Sequence, residues 1–240
     1  MSSAGGMPPV AILMGGLATR LRPVTLTIPK ALVEVAGRPF VHRQLEYLRG
    51  QGVARAVLCT GHLGEQIEAS VGDGSRFGLR VDYSPDGPAL LGTGGALKRA
   101  LPLLGPEFFV LYGDSFLPIA FAPVLAAYRA SGKPALMTVL KNADNWDKSN
   151  AHYENGVVTI YDKAAPTPAM RHIDYGLSVL SAGVLATVPE GVAVDLAQVY
   201  NALSLGGQLA GFEVTERFYE IGSHEGLRET AEYFFLKENQ

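Results

Sequence analysis

The chain has 240 residues, 48% of them hydrophobic and 18% charged, with 28 glycines spread along it. That length and mix suit one sizeable core in a single globular domain. A formal net charge of -3 gives no broad hold on a phosphate backbone. This argues against a nucleic-acid binder while leaving local basic residues free to hold a small phosphorylated ligand. The single cysteine, Cys59, excludes an intrachain disulfide and a cysteine-rich metal site, and His42, His62, His152, His172 and His224 show no ligand spacing. The stretch Met1 to Pro9 lacks a basic leader, and the apolar run after it breaks at Gly15-Gly16. Neither a secretion signal nor a membrane span is expected, and a cytoplasmic location follows.

In chain order, Val10 to Met14 reads as a buried strand feeding a tight glycine loop. Pro39 opens a helix carrying Val41, Leu45 and Leu48 at helical spacing, and Gly50 and Gly52 end it. Arg55 to Thr60 reads as the next strand, with Cys59 a small core residue. A short helix over Glu65 to Val71 and a strand over Leu79 to Tyr83 follow, then a long loop from Ser84 to Gly95. Ala96 to Leu104 reads as helix, and Phe108 to Tyr112 as an apolar strand ending at Gly113-Asp114. Phe121, Val124, Leu125 and Tyr128 form a helical core stripe. Beyond it lie a strand at Ala135 to Leu140, a hairpin over Tyr153 to Tyr161 around Asn155-Gly156, and a strand at Leu177 to Leu180. A helix at Ala193 to Leu203, a strand at Phe218 to Ile221 and a helix from Glu225 complete the chain.

Strand and helix alternate through the first half, which implies a mostly parallel sheet with helices on both faces. Ligands bind such sheets beyond the carboxyl ends of the strands, and the loops after Met14 and Tyr112 both belong to that edge. In the loop from Leu13 to Lys30, Gly15 and Gly16 let the backbone approach an anion, and consecutive amides form a nest. Arg20 offers forked donors to phosphate oxygens, while Lys30 brings a mobile point charge. There is no GxGxxG after the first strand, which disfavours a dinucleotide-binding oxidoreductase. A carboxylate at Asp114, ending the most apolar strand, is hard to explain as packing, because burying it unpaired is costly.

The segment Leu13-Met14-Gly15-Gly16-Leu17-Ala18-Thr19-Arg20-Leu21-Arg22-Pro23, closed by Pro29-Lys30, resembles the signature of the sugar-phosphate nucleotidyltransferases. Gly72 to Leu79, Leu91-Gly92-Thr93-Gly94-Gly95-Ala96-Leu97, Gly113-Asp114 and Phe218-Tyr219-Glu220-Ile221-Gly222 are also similar to stretches of that family. The subgroups most alike are the D-glycero-α-D-manno-heptose 1-phosphate and mannose 1-phosphate guanylyltransferases, with N-acetylmuramate 1-phosphate uridylyltransferases nearby. The resemblance implies a single Rossmann-like α/β/α domain over 1–240 with a mostly parallel mixed sheet. Residues 1–114 would form its nucleotide-binding half and 115–240 its sugar-phosphate-binding half.

It further implies that Leu13, Gly15, Gly16, Thr19, Arg20, Lys30, Ser84, Gly92 and Thr93 bind the nucleotide. Asp162, Lys163, Asp174, Tyr175 and Gly176 would bind the sugar phosphate, and Asp114 and Glu220 a divalent metal such as Mg²⁺. Arg20, Lys30, Asp114 and Lys163 would be the catalytic set. Four positions depart from the family pattern: Met14 stands for an alanine, Ala18 for a glycine, Asp162 for a glutamate and Glu220 for an aspartate. The implied partners are an NTP, with a lean toward GTP, and a sugar 1-phosphate; no nucleic acid or membrane is implied, and a homodimer is common among relatives. Three other readings stay open: a uridylyltransferase for a substrate such as N-acetylmuramate 1-phosphate, a cytidylyltransferase for a non-sugar phosphate, and a silent regulatory NDP-sugar binder. The polar loop Asn145 to Asn150 carries the only Trp and is read equally as a closing loop or a plain surface loop.

Overall fold

The computed structural model describes residues 6–142 and 148–239. Its strands are β1 (Val10–Met14), β2 (Glu34–Val35), β3 (Arg38–Pro39), β4 (Arg55–Thr60), β5 (Arg80–Pro85), β6 (Glu107–Tyr112) and β7 (Ser115–Phe116). They continue with β8 (Ala135–Lys141), β9 (Ala151–Glu154), β10 (Val157–Tyr161), β11 (His172–Ser181), β12 (Leu209–Val214) and β13 (Tyr219–Glu220). The helices are α1 (Phe40–Gly50), α2 (Gly64–Val71), α3 (Gly92–Ala100), α4 (Phe121–Ser131), α5 (Leu196–Leu205) and α6 (His224–Glu238).

One nine-stranded sheet runs in the order β5-β4-β1-β6-β11-β8-β12-β10-β9. Only β11 and β10 run against the other strands of that sheet. It is therefore the mostly parallel mixed sheet of a Rossmann-like α/β/α fold. The strand sequences explain why both faces are covered. Along β1, Val10, Ile12 and Met14 pack into one core layer while Ala11 and Leu13 pack into the other. On β4, Ala56 and Leu58 join the first layer, Val57 and Cys59 the second. A strand buried on both sides has no need of polar alternation, which is why these segments read as continuous apolar runs. Helices α1, α2 and α4 supply Leu45, Ile67 and Val124 to the first layer, and α3 and α5 supply Leu97 and Leu196 to the second.

Several boundaries differ from those read off the sequence. The helix expected from Ala96 begins at Gly92 and ends at Ala100, because the glycine run is held helical by tertiary contact. The Gly94 N–H donates to Val194 O at 2.8 Å, and a Cβ on Gly95 would stand 2.5 Å from Val192 O. Glycine is a poor helix former, but here only a bare Cα lets the 192–194 segment lie across the helix. The strand expected at Leu177 to Leu180 is the middle of the ten-residue β11. Strand β12 was not anticipated, and the Phe218 to Ile221 strand is the two-residue β13, paired with β7 outside the large sheet. The Asn155-Gly156 turn is as read: both residues have positive φ, as a two-residue hairpin turn requires. Positions 145–147 of the polar loop lie outside the described residues. Among the described residues no helix is long and apolar enough to cross a membrane.

Candidate active site

Parallel pairing of β1 with β6 sets Leu13 opposite Tyr112, so the loops that follow leave the sheet side by side at its carboxyl edge. The Gly113 N–H donates to Leu13 O at 2.8 Å, and a Cβ at Gly113 would stand 2.7 Å from Met14 Cβ. Glycine there lets the two loops touch. The Gly113-Asp114 turn is then pinned from α1: buried Gln44 donates from Nε2 to Tyr112 O at 3.0 Å and to Ser115 O at 2.8 Å.

Lys30 opens a 3₁₀ turn after Pro29 whose next residue, Ala31, is buried in the core. That anchor leaves the Lys30 side chain against Asp114, with Nζ 2.9 Å from Oδ2 across 84 residues of sequence. A cavity of about 260 Å³ adjoins this pair, lined by Leu13, Gly15, Gly16, Lys30, Gly92, Thr93 and Asp114 among others. Thr19, Arg20 and Ser84 are not in its wall. Thr19 and Arg20 are exposed on a 3₁₀ turn, and Ser84 is buried in β5.

Arg20 reaches toward the other carboxylate. A Cβ on Gly222 would stand 3.2 Å from Glu220 Oε2 and 3.5 Å from Arg20 Nη2, so both groups crowd the bare Cα of Gly222. Glu220 pairs with Ser115 in the β13–β7 ladder, and the Ile221 N–H donates to Asp114 O at 2.9 Å. Glu220 on β13 and Asp114, in the turn just before β7, thus lie near Arg20 and Lys30 respectively. Oxygen donors of this kind fit Mg²⁺, which commonly takes one or two carboxylates and completes its shell with phosphate and water. Among the described residues no three or more His, Cys, Asp or Glu gather into a metal site.

The turn before Arg20 carries a departure from the family pattern. Ala18 has φ 50°, in the left-handed region, and its carbonyl accepts the Thr25 hydroxyl at 2.7 Å. An L-residue there costs about 1–2 kcal/mol, partly offset in a glycine variant by greater chain entropy when unfolded. Ala18→Gly is expected to raise Tm by about 1–3 °C in a thermal melt. A lowered Tm would contradict this account of the turn.

On the far side of Tyr112 lies the second group of expected residues. The Lys163 ammonium stands 5.7 Å from the Tyr112 ring centroid and 6.0 Å from that of Tyr161. Asp162 forms the turn that presents it, with Oδ1 accepting the Ala164 and Ala165 N–H groups at 2.8 and 2.9 Å. Burial pushes the Asp174 carboxyl above its usual range, while Lys163, the Gly176 N–H and the Tyr161 hydroxyl pull it back. Tyr175, one residue on, points to the opposite face. It is 2% exposed, belongs to the first core layer and meets Phe218 edge-on, so strand alternation alone takes it away from Asp174.

Thr93 lines the cavity, but its hydroxyl is engaged. It donates to Asp195 Oδ1 at 3.0 Å and accepts the Leu196 N–H at 2.8 Å, docking α3 on the start of α5. Two residues that sequence reasoning passed over stand out. Asn150 accepts the Asp174 N–H on its side-chain oxygen at 3.0 Å and the Asp162 N–H on its backbone oxygen at 2.9 Å. It ties the acceptor-side residues together. Asp86, in the Ser84-Pro85-Asp86-Gly87 run whose resemblance is closer to uridylyl- and thymidylyltransferases, is 4% exposed and lines the cavity.

Burial pushes the Asp86 carboxyl up, and the Leu91 N–H and the Arg99 charge draw it back. A carboxyl raised in the folded state favours folding below its unfolded pKa, and that contribution is lost as pH rises through the folded pKa. Asp86→Asn is therefore expected to raise Tm at pH 7 to 8, by about 2–4 °C per kcal/mol at this chain length. The gain should shrink as the melt is repeated at lower pH. A Tm loss at neutral pH would show that the charge is structural.

The sequence pattern of the nucleotidyl transferase family matches residues 10–167. The chain is 32% identical over 228 residues to the N-acetylmuramate alpha-1-phosphate uridylyltransferase of Neisseria meningitidis serogroup B, covering 91% of this chain and 94% of that protein. It is 28% identical over 218 residues to the mannose-1-phosphate guanyltransferase of Gibberella zeae, covering 88% of this chain and 60% of that longer protein. The crystal structure of HddC from Yersinia pseudotuberculosis complexed with GMP-PN is 25% identical, with a TM-score of 0.78 over 95% of this chain and 100% of that one. With the family pattern spanning well over half of the chain and an almost full-length relative above 30% identity, the chain belongs to the nucleotidyl transferase family.

Proposed function

We propose that the chain joins an NTP, preferentially GTP, to a hexose or heptose 1-phosphate and releases pyrophosphate. The observation that carries this reading is the Lys30–Asp114 pair, at 2.9 Å, on the wall of a cavity floored by Gly15 and Gly16. A second cation, Lys163, stands behind Tyr112. Two separate cations, Lys30 at the cavity and Lys163 over Tyr112, suit a reaction in which two anions must be brought together.

In the transfer, a phosphate oxygen of the sugar 1-phosphate attacks the α-phosphorus of the NTP. The bond from that phosphorus to the β-bridging oxygen breaks, and pyrophosphate leaves with the electron pair. No covalent bond to the protein forms. Asp114 and Glu220 would hold a divalent cation, which when bound would neutralise phosphate charge. The amides of the Gly15-Gly16 loop and Arg20 hold the β- and γ-phosphates, and Lys30 neutralises the transferring phosphate. Lys163 binds the acceptor phosphate, and Asp174 and the Gly176 backbone contact the sugar.

A second reading, uridylyl transfer to N-acetylmuramate 1-phosphate, is favoured by the almost full-length coverage of the Neisseria relative at 32% identity. Both readings are tested by one experiment. The chain is incubated with Mg²⁺ over a grid of GTP, UTP, CTP, dTTP and ATP against sugar 1-phosphates, and the NDP-sugar is identified by mass spectrometry. GTP with a hexose or heptose 1-phosphate should give the highest kcat/KM. Product from UTP and N-acetylmuramate 1-phosphate alone would favour the second reading, and no product from any pair would overturn both.

A further inference from the structure

We propose that the acceptor sugar carries a second acid group besides its 1-phosphate, bound by Lys141 and Arg171 in a pocket beyond Asp174. The inference rests on the transferase reading above and deepens it by naming the chemical class of the acceptor.

The pocket has a volume of about 560 Å³ and is lined by Lys141, Lys148, Ser149, Thr167, Met170 and Arg171 among others. Among the described residues no Asp or Glu contributes to its wall. Its frame joins the end of β8 to the segments on either side of β9 and β10. The Asn142 N–H donates to Arg171 O at 3.0 Å, and its Nδ2 donates to Ser149 Oγ at 3.2 Å; Asn142 and Ser149 are both buried. The turn before Arg171 is closed by the Met170 N–H on Thr167 O at 3.0 Å, and Pro166 and Pro168 stiffen it. Lys141 and Arg171 are exposed on this frame, and among the described residues neither forms an ion pair. Glu213, on the neighbouring β12, is engaged by His172 Nε2 at 2.8 Å.

Lys141 and Arg171 repel one another across this concavity, and a concave wall focuses their field on whatever enters it. Packing does not call for either charge, since both residues are exposed. An anion relieves the repulsion and receives charge-assisted hydrogen bonds from both side chains. The sheet says which anion. Lys141 pairs with His172 across β8 and β11, and Asp174 lies two residues further along β11. Ile173 packs into the first core layer, so Lys141, His172 and Asp174 share the opposite face. Such a diagonal spans about 7–8 Å, within reach of one exocyclic substituent of a pyranose seated at Asp174. Further along β11, Gly176 lies against the Tyr112 ring, where a Cβ would stand 3.7 Å from Cδ2, and Lys163 covers the same ring. The 1-phosphate at Lys163, the sugar at Asp174 and the pocket at Arg171 thus follow one another along a single strand. Asn150, next to Ser149, holds both Asp162 and Asp174, which makes acceptor side and pocket one framework. A carboxylate or a second phosphate on the acceptor answers the charge of this pocket; a neutral hexose does not.

The test compares matched acceptors on the intact chain, with Mg²⁺ and the NTP that the grid above selects. N-acetylmuramate 1-phosphate is set against N-acetylglucosamine 1-phosphate, and glucuronic acid 1-phosphate and glucose 1,6-bisphosphate are each set against glucose 1-phosphate. The first two comparisons add a carboxylate, and the third adds a phosphate. In at least one of them the acidic acceptor should show a KM lower by about tenfold or more, as one charge-assisted contact provides. In the double variant Lys141→Ala/Arg171→Ala that advantage should fall to within about threefold, mostly through a higher KM for the acidic acceptor. Both side chains are exposed, so a thermal melt of the variant should match that of the unmodified chain. A KM for the acidic acceptor equal to or above that of its neutral partner in every comparison would overturn the proposal and leave the transferase reading intact. So would an advantage that survives in the double variant. No product from any acceptor would overturn both.

Discussion

Asp114→Asn is expected to lower turnover by about 10²–10³-fold while leaving the fold intact. The residue follows β6 in the turn beside Gly113, its Oδ2 meets Lys30 at 2.9 Å, and the backbone around it is fixed by Gln44 and by the Ile221 N–H. An amide fits the same space, but it neither binds a divalent cation strongly nor balances the Lys30 charge. Stability should change little. The pair is partly solvated, with side chains 19% and 32% exposed, and ion pairs in such settings are worth at most about 1 kcal/mol. The check is kcat for product formation at saturating substrates, together with a thermal melt. A variant that folds normally and keeps at least a third of the activity would remove Asp114 from the cation site.

Lys163→Ala should act on the acceptor alone. Lys163 is exposed, so its loss does not disturb packing, and its ammonium lies over Tyr112 and Tyr161 next to the half-buried Asp174. The KM for the sugar 1-phosphate is expected to rise about 10²-fold, the loss of one charge-assisted contact to phosphate, with the NTP dissociation constant unchanged. Lys163→Arg should recover part of that loss, because it keeps the charge with a different geometry. Two results would count against the assignment. One is a KM for the sugar phosphate within twofold of the unmodified chain; the other is an equal weakening of nucleotide binding.

Much of the cavity was legible in the sequence because its signals are local. A buried strand ending in Gly15-Gly16 and a Pro29-Lys30 pair both act through their immediate neighbours. The apolar runs of β1, β4 and β6 read as buried parallel strands for the same reason. What escaped depends on contacts made across the fold. The Gly92 to Gly95 run reads as loop, and only the carbonyls of 192–194 make it the first turn of a helix. Tyr175 reads as a neighbour of Asp174, but the β11 pleat sends it into the opposite core layer. Asp86 lies in the Ser84 to Gly95 loop that resemblance assigns to the base, with no role of its own in the sequence, and its burial appears only once β5 and α3 are packed. Strand β12 was missed because Gly211 interrupts its apolar pattern; a Cβ there would stand 2.5 Å from the Tyr153 ring.

The central claim is that this site moves an NTP's nucleotidyl group to a sugar 1-phosphate. It is tested most directly by measuring pyrophosphate release from GTP with Mg²⁺, in the presence and absence of mannose 1-phosphate or a heptose 1-phosphate. The account predicts release only with an acceptor present, one pyrophosphate for each acceptor consumed. Release that does not depend on the acceptor, or orthophosphate as the product, would contradict it.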